Sequence, residues 1–310
     1  MVVLQNSSTA SETNYESARN PLRNARLSFI GCGVMAEAII AGLLKRELLS
    51  PAQIVGSHPR SARREQLETK YGISVRESNR EAVESSSFNE RAGEDGAVSI
   101  IVLAVKPQRL TAVLQELKGV VRPLQLVVSI VAGARIQTIA ESLGHSSIIR
   151  AMPNTPAQIG HGMTVWTATQ EASDVQLEAA RSMFDALGQE MRVEEERMID
   201  MATALSATGP TYIFMLMEAL IDAGVHMGFS RHVAQQLVQQ TMLGSIHFAR
   251  ESHLHPAELR NMVTSPGGTS AEAIYQMEKG GLRTVISKAV WSAYQRAVAL
   301  GDAGERKKDR

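Results

Sequence analysis

The run VSIIVLAV at 98–105 restricts the fold of this chain more than any other segment. A near-continuous apolar stretch of that length reads as a strand covered on both faces, which occurs mainly in parallel sheets flanked by helices. The surrounding segments agree. Short apolar runs at 27–30, 53–56, 126–131 and 148–152 alternate with helical periodicity at 35–44, 61–71, 110–117 and 136–143. Such alternation predicts a parallel sheet with helices on both sides. Edge strands are expected at 163–167 and 190–194, and a polar surface loop at 84–96.

From about residue 195 the pattern changes, and no strong strand signal follows. Pro210 suits the first turn of a helix over 211–227, whose sequence TYIFMLMEALIDAGVHM is apolar on nearly every side. Further helices are expected at 231–250, 256–263, 270–279 and 282–300. A helix as apolar as 211–227 must be wrapped by others. About 110 residues of helical domain can hardly do this alone, so a second subunit is expected to cover it. Burial within one subunit is the alternative. The fold class is therefore α/β, a Rossmann-like dinucleotide-binding domain at 26–193 followed by an all-helical dimerisation domain at 194–302. Residues 1–25 are expected to be a disordered leader and 303–310 a disordered tail.

Composition excludes several classes of function. Lys plus Arg equals Asp plus Glu, 32 against 32, which argues against nucleic acid or an anionic membrane as the main partner. Cys32 is the only cysteine, so no intrachain disulfide forms and a reducing, cytoplasmic location is expected. No run of 18 apolar residues suggests a membrane span. The first 25 residues lack the apolar middle of a secretory signal, and Glu12 and Glu16 count against an organelle transit peptide. The histidines show no zinc-type spacing, so no metal is expected.

Two stretches carry chemistry. Gly31-Cys32-Gly33-Val34-Met35-Ala36 follows a strand and opens a helix, the context in which G-x-G-x-x-A binds a dinucleotide. The first glycine makes the turn, the second admits the pyrophosphate, and Ala36 keeps helix and strand close. After the second strand an NAD enzyme usually carries an acidic residue, but here the sequence reads Gly56-Ser57-His58-Pro59-Arg60. Ser57, His58 and Arg60 suit a 2′-phosphate, which favours NADPH, with NADH as the alternative. Arg63 and Arg64 read as the solvated face of a helix. Cys32 reads as a small residue that fits the turn, because no base partner is evident. Ala104, Val105, Lys106 and Pro107, and later Ile130, Val131 and Ala132, lie at carboxyl ends of strands, where ligands bind in parallel sheets. Asn154 either hydrogen-bonds across that cleft or fixes a proline-rich turn.

The second stretch is VTSPGGTSAEA at 263–273. Ser265, Gly267, Gly268, Thr269 and Ser270 precede a helical pattern, and such a loop can point backbone N–H groups and hydroxyls at one small anion.

Taken together, GCGVMAEAI at 31–39, AVKPQ at 104–108, SIVAG at 129–133, RAMPNTPAQIGHGMT at 150–164, ALSATGPTYIF at 204–214, EALIDAGVHMGFSR at 218–231 and the loop at 263–273 resemble the pyrroline-5-carboxylate reductase family. The resemblance covers residues 26 to about 302. It implies reduction of the cyclic imine 1-pyrroline-5-carboxylate to L-proline, the last step of proline biosynthesis. It places the substrate carboxylate in the 265–270 loop and the imine over the nicotinamide. The hydroxyl at Ser270 then faces the imine nitrogen as proton donor, with Thr269 the adjacent candidate. Most members carry threonine where this chain has Ser270, which keeps the hydroxyl and loses the methyl that restricts its rotamer. The resemblance also implies an adenosine-side contact at Asn79 and a substrate-proximal carboxylate at Glu196, which otherwise reads as an acidic residue in a helix's first turn. It places Lys106 in the cofactor cleft. It implies self-association as an interlocked homodimer, with a decamer of dimers as the larger form.

Two other readings remain. A hydroxyacid dehydrogenase would place a catalytic lysine on a long helix of the second domain. Lys288 is the mid-helix candidate, but that reading leaves the 263–273 loop unexplained. A non-catalytic NADP-binding regulator would have no need of the loop's polar groups.

Overall fold

The computed structural model describes residues 20–87 and 97–306. The chain divides into two compact units: residues up to Ala207 together with those from Tyr294 onward, and Thr208–Ala293.

The first unit is built on an eight-stranded sheet of order β3-β2-β1-β4-β5-β6-β7-β8. Its strands are β1 (Arg26–Ile30), β2 (Ile54–Ser57), β3 (Ser74–Arg76), β4 (Ser99–Leu103), β5 (Leu126–Ser129), β6 (Ile148–Met152), β7 (Gly162–Ala168) and β8 (Gly188–Arg192). All neighbours are parallel except β6 and β7. The helices between them are α1 (Val34–Lys45), α2 (Ser61–Tyr71), α3 (Asn79–Ser86), α4 (Pro107–Leu117), α5 (Ile136–Leu143), α6 (Asp174–Asp185) and the short α7 (Arg197–Ala202).

Strand β4 shows why the apolar run at 98–105 is decisive. Ile100 and Val102 join one core with Phe29 of β1, Ile39 and Leu43 of α1 and Phe184 of α6. Ile101 and Leu103 join another with Val83 of α3, Leu114 of α4 and Ile139 of α5. Successive side chains point to opposite faces, so a strand serving two cores must be apolar at every position. Each such side chain contributes roughly 1.5–3 kcal/mol on burial.

Most expected elements form. The strand expected at 190–194 instead runs Gly188–Arg192. Helices α3 and α6 and strand β3 appear where no element was expected. The expected loop at 84–96 begins inside α3, and its residues 88–96 lie outside the described residues. Residues 1–19 and 307–310 of the expected leader and tail also lie outside them. The last residues of the leader are folded: Leu22 and Ala25 are buried, and Asn20 donates to the Leu48 carbonyl at 2.8 Å. At the other end, the final helix continues to Arg306, past the expected start of the tail at 303.

The second unit contains α8 (Gly209–His226), α9 (Arg231–Ser252), α10 (Pro256–Met262), α11 (Thr269–Lys279) and the first part of α12 (Leu282–Arg306). Helices α8 and α9 approach closely: a Cβ on Gly224 would lie 3.0 Å from the Ala234 Cβ. Yet within α8 only Ile221 and Gly224 are buried. Ile213, Phe214, Met215, Leu216 and Leu220 are exposed, so burial of this helix within one chain does not occur. The helical stretch Arg197–His226 is also long and apolar enough to cross a membrane by length and composition. Arg197, Asp200, Glu218 and Asp222 interrupt it, so it holds no unbroken apolar run of 18 residues.

Candidate active site: a cofactor edge and an anion loop

The carboxyl ends of β2, β1, β4 and β5 lie side by side, and their backbones are knitted together there. Cys32 N–H donates to the Ser57 carbonyl at 3.0 Å, Ala104 to Ile30 at 2.9 Å, and Ile130 to Leu103 at 3.0 Å. The chain reverses direction through the sheet between β1 and β4, the point where open parallel sheets bind ligands. Gly31 sits there with φ +90°, and a Cβ on it would lie 2.7 Å from Val105 Cγ1. Both conformation and space therefore require glycine. Gly33 differs: a Cβ there would meet nothing within 4 Å, so this side of the turn is open. The adjacent N–H groups of Val34, Met35 and Ala36 begin α1 and have no backbone acceptor among the described residues. An open glycine facing free helix N-terminal donors fits a pyrophosphate.

Charged groups brace this turn. Arg63 Nε donates to the Cys32 carbonyl at 3.2 Å, and its Nη2 pairs with Glu37 at 2.5 Å. Lys70 and the Tyr71 hydroxyl also donate to Glu37, at 2.9 and 2.8 Å. Burial alone would raise the Glu37 pKa, but the hydrogen bonds from Lys70, Arg63 and Tyr71 prevail and hold it at about 2. Arg64 donates to the carbonyls of His58 and Pro59, both at 3.0 Å, and pairs with Glu77. Arg63 and Arg64 are thus structural braces rather than a solvated face. Burial pushes the Cys32 thiol up to about 11, which leaves no thiolate for catalysis at neutral pH.

The candidate 2′-phosphate group separates into two kinds. The Ser57 hydroxyl is fully buried, donates to Asn79 Oδ1 at 2.7 Å and accepts from the Gly31 N–H at 3.3 Å. It supports the turn from below instead of presenting a free hydroxyl. Asn79 completes this support by donating to Glu116 at 2.7 Å. His58 accepts the Arg60 N–H at 3.2 Å, and burial, with the charges of Arg60, Arg63 and Arg64, lowers its pKa. Arg60 is exposed, and its guanidinium has no partner among the described residues. Lys106, at the start of α4, is exposed in the same way. Asn154 accepts the Met163 N–H at 2.9 Å, which closes its own proline-rich turn, and its Nδ2 also donates to the Ser206 carbonyl and hydroxyl, both at 3.4 Å.

Glu196 lies at the start of α7, in the first unit. Its Oε1 accepts the Ile136 N–H at 2.9 Å and pairs with Arg150 at 3.0 Å. Arg150 is 1% exposed and also pairs with Asp200 at 2.5 Å. Sequence reasoning missed this ion triad around a buried arginine. An arginine in an apolar strand is its one visible signal.

In the second unit, Pro266 and Gly267 form a tight turn closed by the Gly268 N–H donating to the Ser265 carbonyl at 3.0 Å. Gly267 has φ +70°, and a Cβ on Gly268 would collide with Ser265 Oγ. Gly268 then caps α11 without a side chain. The N–H groups of Thr269 and Ser270, and the hydroxyls of Ser265, Thr269 and Ser270, have no partner among the described residues. One short loop thus presents several unspent donors at a helix N-terminus, the arrangement an anionic group needs.

A glycine turn facing open helix donors on a parallel sheet, followed by a helical unit with an uncovered apolar face, defines a two-domain oxidoreductase that uses a nicotinamide cofactor. Residues 196–300 match the family model described as pyrroline-5-carboxylate reductase dimerisation, and residues 26–133 match NADP oxidoreductase coenzyme F420-dependent. The chain belongs to the pyrroline-5-carboxylate reductase family, and so to oxidoreductases acting on the CH–NH group of donors. It is 41% identical to the pyrroline-5-carboxylate reductase of Synechocystis sp. over 277 residues, 89% of this chain and 98% of that protein. Among solved structures, the Plasmodium falciparum pyrroline carboxylate reductase with NADP bound superposes with TM-score 0.80 and 28% identity, covering 90% of this chain and 99% of that one. The Coxiella burnetii pyrroline-5-carboxylate reductase gives TM-score 0.77 and 34% identity over 90% and 99%. The match to the dimerisation model accounts for the exposed face of α8 as a surface for self-association.

Proposed function

We propose that this chain reduces 1-pyrroline-5-carboxylate to L-proline with NADPH, the last step of proline biosynthesis, with NADH as the alternative cofactor. The observation that carries the reading is the 265–270 loop, whose unspent donors suit a small carboxylate, in a chain that also holds the open glycine turn. When bound, the nicotinamide supplies the hydride. The residues do the rest. The N–H groups of Val34, Met35 and Ala36 hold the pyrophosphate over Gly33. Arg60 carries most of the charge for a 2′-phosphate, with His58 beside it. Ala104–Pro107 and Ile130–Ala132 line the cofactor edge.

Ser265 and the N–H groups around Gly267 and Gly268 hold the substrate carboxylate. Hydride addition to a neutral C=N builds negative charge on nitrogen, so a proton must reach that atom as the carbon is reduced. The Ser270 hydroxyl is the donor, and Thr269 stands next to it. Holding the imine in attack geometry supplies much of the barrier reduction. No metal is required for any of these roles. The chain works in the cytoplasm as an interlocked homodimer, and a decamer of dimers is the larger assembly this reading allows. Oxidation of NADPH and of NADH, each followed with 1-pyrroline-5-carboxylate, tests the reading. Turnover with a higher kcat/KM for NADPH is expected, and a higher value for NADH would overturn the cofactor assignment.

A further inference from the structure

We infer that Glu196 and Arg135 are positioning residues, which fasten the loop 130–135 to the two chain segments that lead into and out of the second unit. The loop follows β5 and ends at Ile136, the first residue of α5. Its cap residue, Arg135, makes no side-chain cap hydrogen bond. The Ile136 N–H is one of the donors a helix start leaves unmet, and Glu196 Oε1 accepts it at 2.9 Å. The same oxygen pairs with Arg150, which β6 holds in the core and which Asp200 of α7 grips from its other end. Ala132 packs against a small core formed by Met152, Val165, Val193 and Ile199 of α7. One side of the loop is therefore bound to α7, which ends at Ala202, shortly before the first unit ends at Ala207.

The other side is bound to the end of α12, which rejoins the first unit at Tyr294. Arg135 pairs with Asp302. Gly133 lies against Leu300 so tightly that a Cβ on it would be 2.7 Å from the Leu300 Cβ and 3.0 Å from Gly301 N. The loop thus takes its position from the two segments whose far ends belong to the self-associating unit. The sheet itself holds Ile130, whose N–H donates to the Leu103 carbonyl at 3.0 Å, and the two segments add the restraints that fix the rest of the loop at the cofactor edge. Glu196 acts by fixing this loop rather than by touching substrate. The inference rests on the proposed reading that 130–132 line the cofactor.

Two variants of the full chain test it. Glu196→Ala removes the acceptor. Ile136→Pro removes the donor and leaves the ion triad intact; proline is tolerated at a helix's first position, and Arg135 with φ −74° and ψ 144° suits the residue before it. The readouts are hydrogen exchange of residues 130–136 without cofactor, NADPH affinity from the fluorescence of the bound nicotinamide, and KM for the imine. Faster exchange and NADPH affinity weakened about tenfold are expected in both variants, with the imine KM held within about twofold. A raised imine KM with unchanged exchange and NADPH affinity would show Glu196 to be a substrate contact and overturn the inference. Unchanged values throughout, or an effect of Glu196→Ala that Ile136→Pro does not share, would overturn it as well. A wild-type chain that binds NADPH but leaves the imine unreduced would instead break the proposed function, because the exchange readout needs neither ligand.

Discussion

Every residue of β4 is buried, whereas in the equally apolar α8 only Ile221 and Gly224 are. The two segments have similar composition and opposite surroundings. Around β4, helices of the same chain cover both faces, and the first unit closes its apolar surface on itself. Around α8 they do not, and Phe214, Met215 and Met227 stand at 60%, 66% and 76% exposure. A soluble chain rarely leaves so much contiguous apolar surface open unless something else covers it. The first unit covers its own apolar surface, and the second depends on self-association to do so.

Charging the open face should separate the two units most sharply. Phe214→Asp combined with Leu220→Asp would bury two carboxylates at the subunit contact, at a cost of several kcal/mol. Sedimentation should show loss of self-association, and activity should fall at least about a hundredfold because obligate dimers often lack a stable monomer. An associated, active double variant would place the interface elsewhere. Within the second unit's loop, Ser270→Ala should lower kcat about a hundredfold. Thr269→Val should lower it less, and the reverse order would move the proton to Thr269. In the first unit, Arg60→Ala should raise KM for NADPH about tenfold and barely change KM for NADH. Equal effects on both cofactors would remove the 2′-phosphate role.

The smallest expected effect concerns the brace under the glycine turn. The Glu37 pKa is about 2 in the folded chain against an ordinary 4.5. A depressed carboxylate contributes stability that is fully present above about pH 4.5 and is lost as pH falls toward 2. Acid unfolding of Glu37→Gln should lack this part of the pH dependence, and an unchanged profile would mean the Arg63–Glu37–Lys70 cluster adds little.

Legibility in the sequence followed the range of the interactions. The glycine turn was readable because Gly31, Gly33 and Ala36 act within one strand–helix junction. The turn at 265–268 was readable because Ser265, Gly267 and Gly268 shape it locally. The uncovered face of α8 was readable because its apolar residues encircle the helix with too few neighbours left to wrap it. Arg63 and Arg150 were not readable: their partners Glu37 and Glu196 lie 26 and 46 residues away. Nothing local distinguishes Arg63 from an arginine on a solvated face, and for Arg150 the apolar strand around it signals burial but not the partner. Ser57 was misjudged for a related reason, since a serine at a strand end points either out to a ligand or back under the turn, and the chain beyond β3 decides which. Strand β3 is only three residues long, too short to leave a periodic signal.

The most direct measurement mixes the purified full chain with 1-pyrroline-5-carboxylate and NADPH and quantifies L-proline against the cofactor consumed. The account predicts one L-proline formed for each NADPH oxidised. Absence of L-proline with both NADPH and NADH, from a chain that is folded and self-associated, would contradict it.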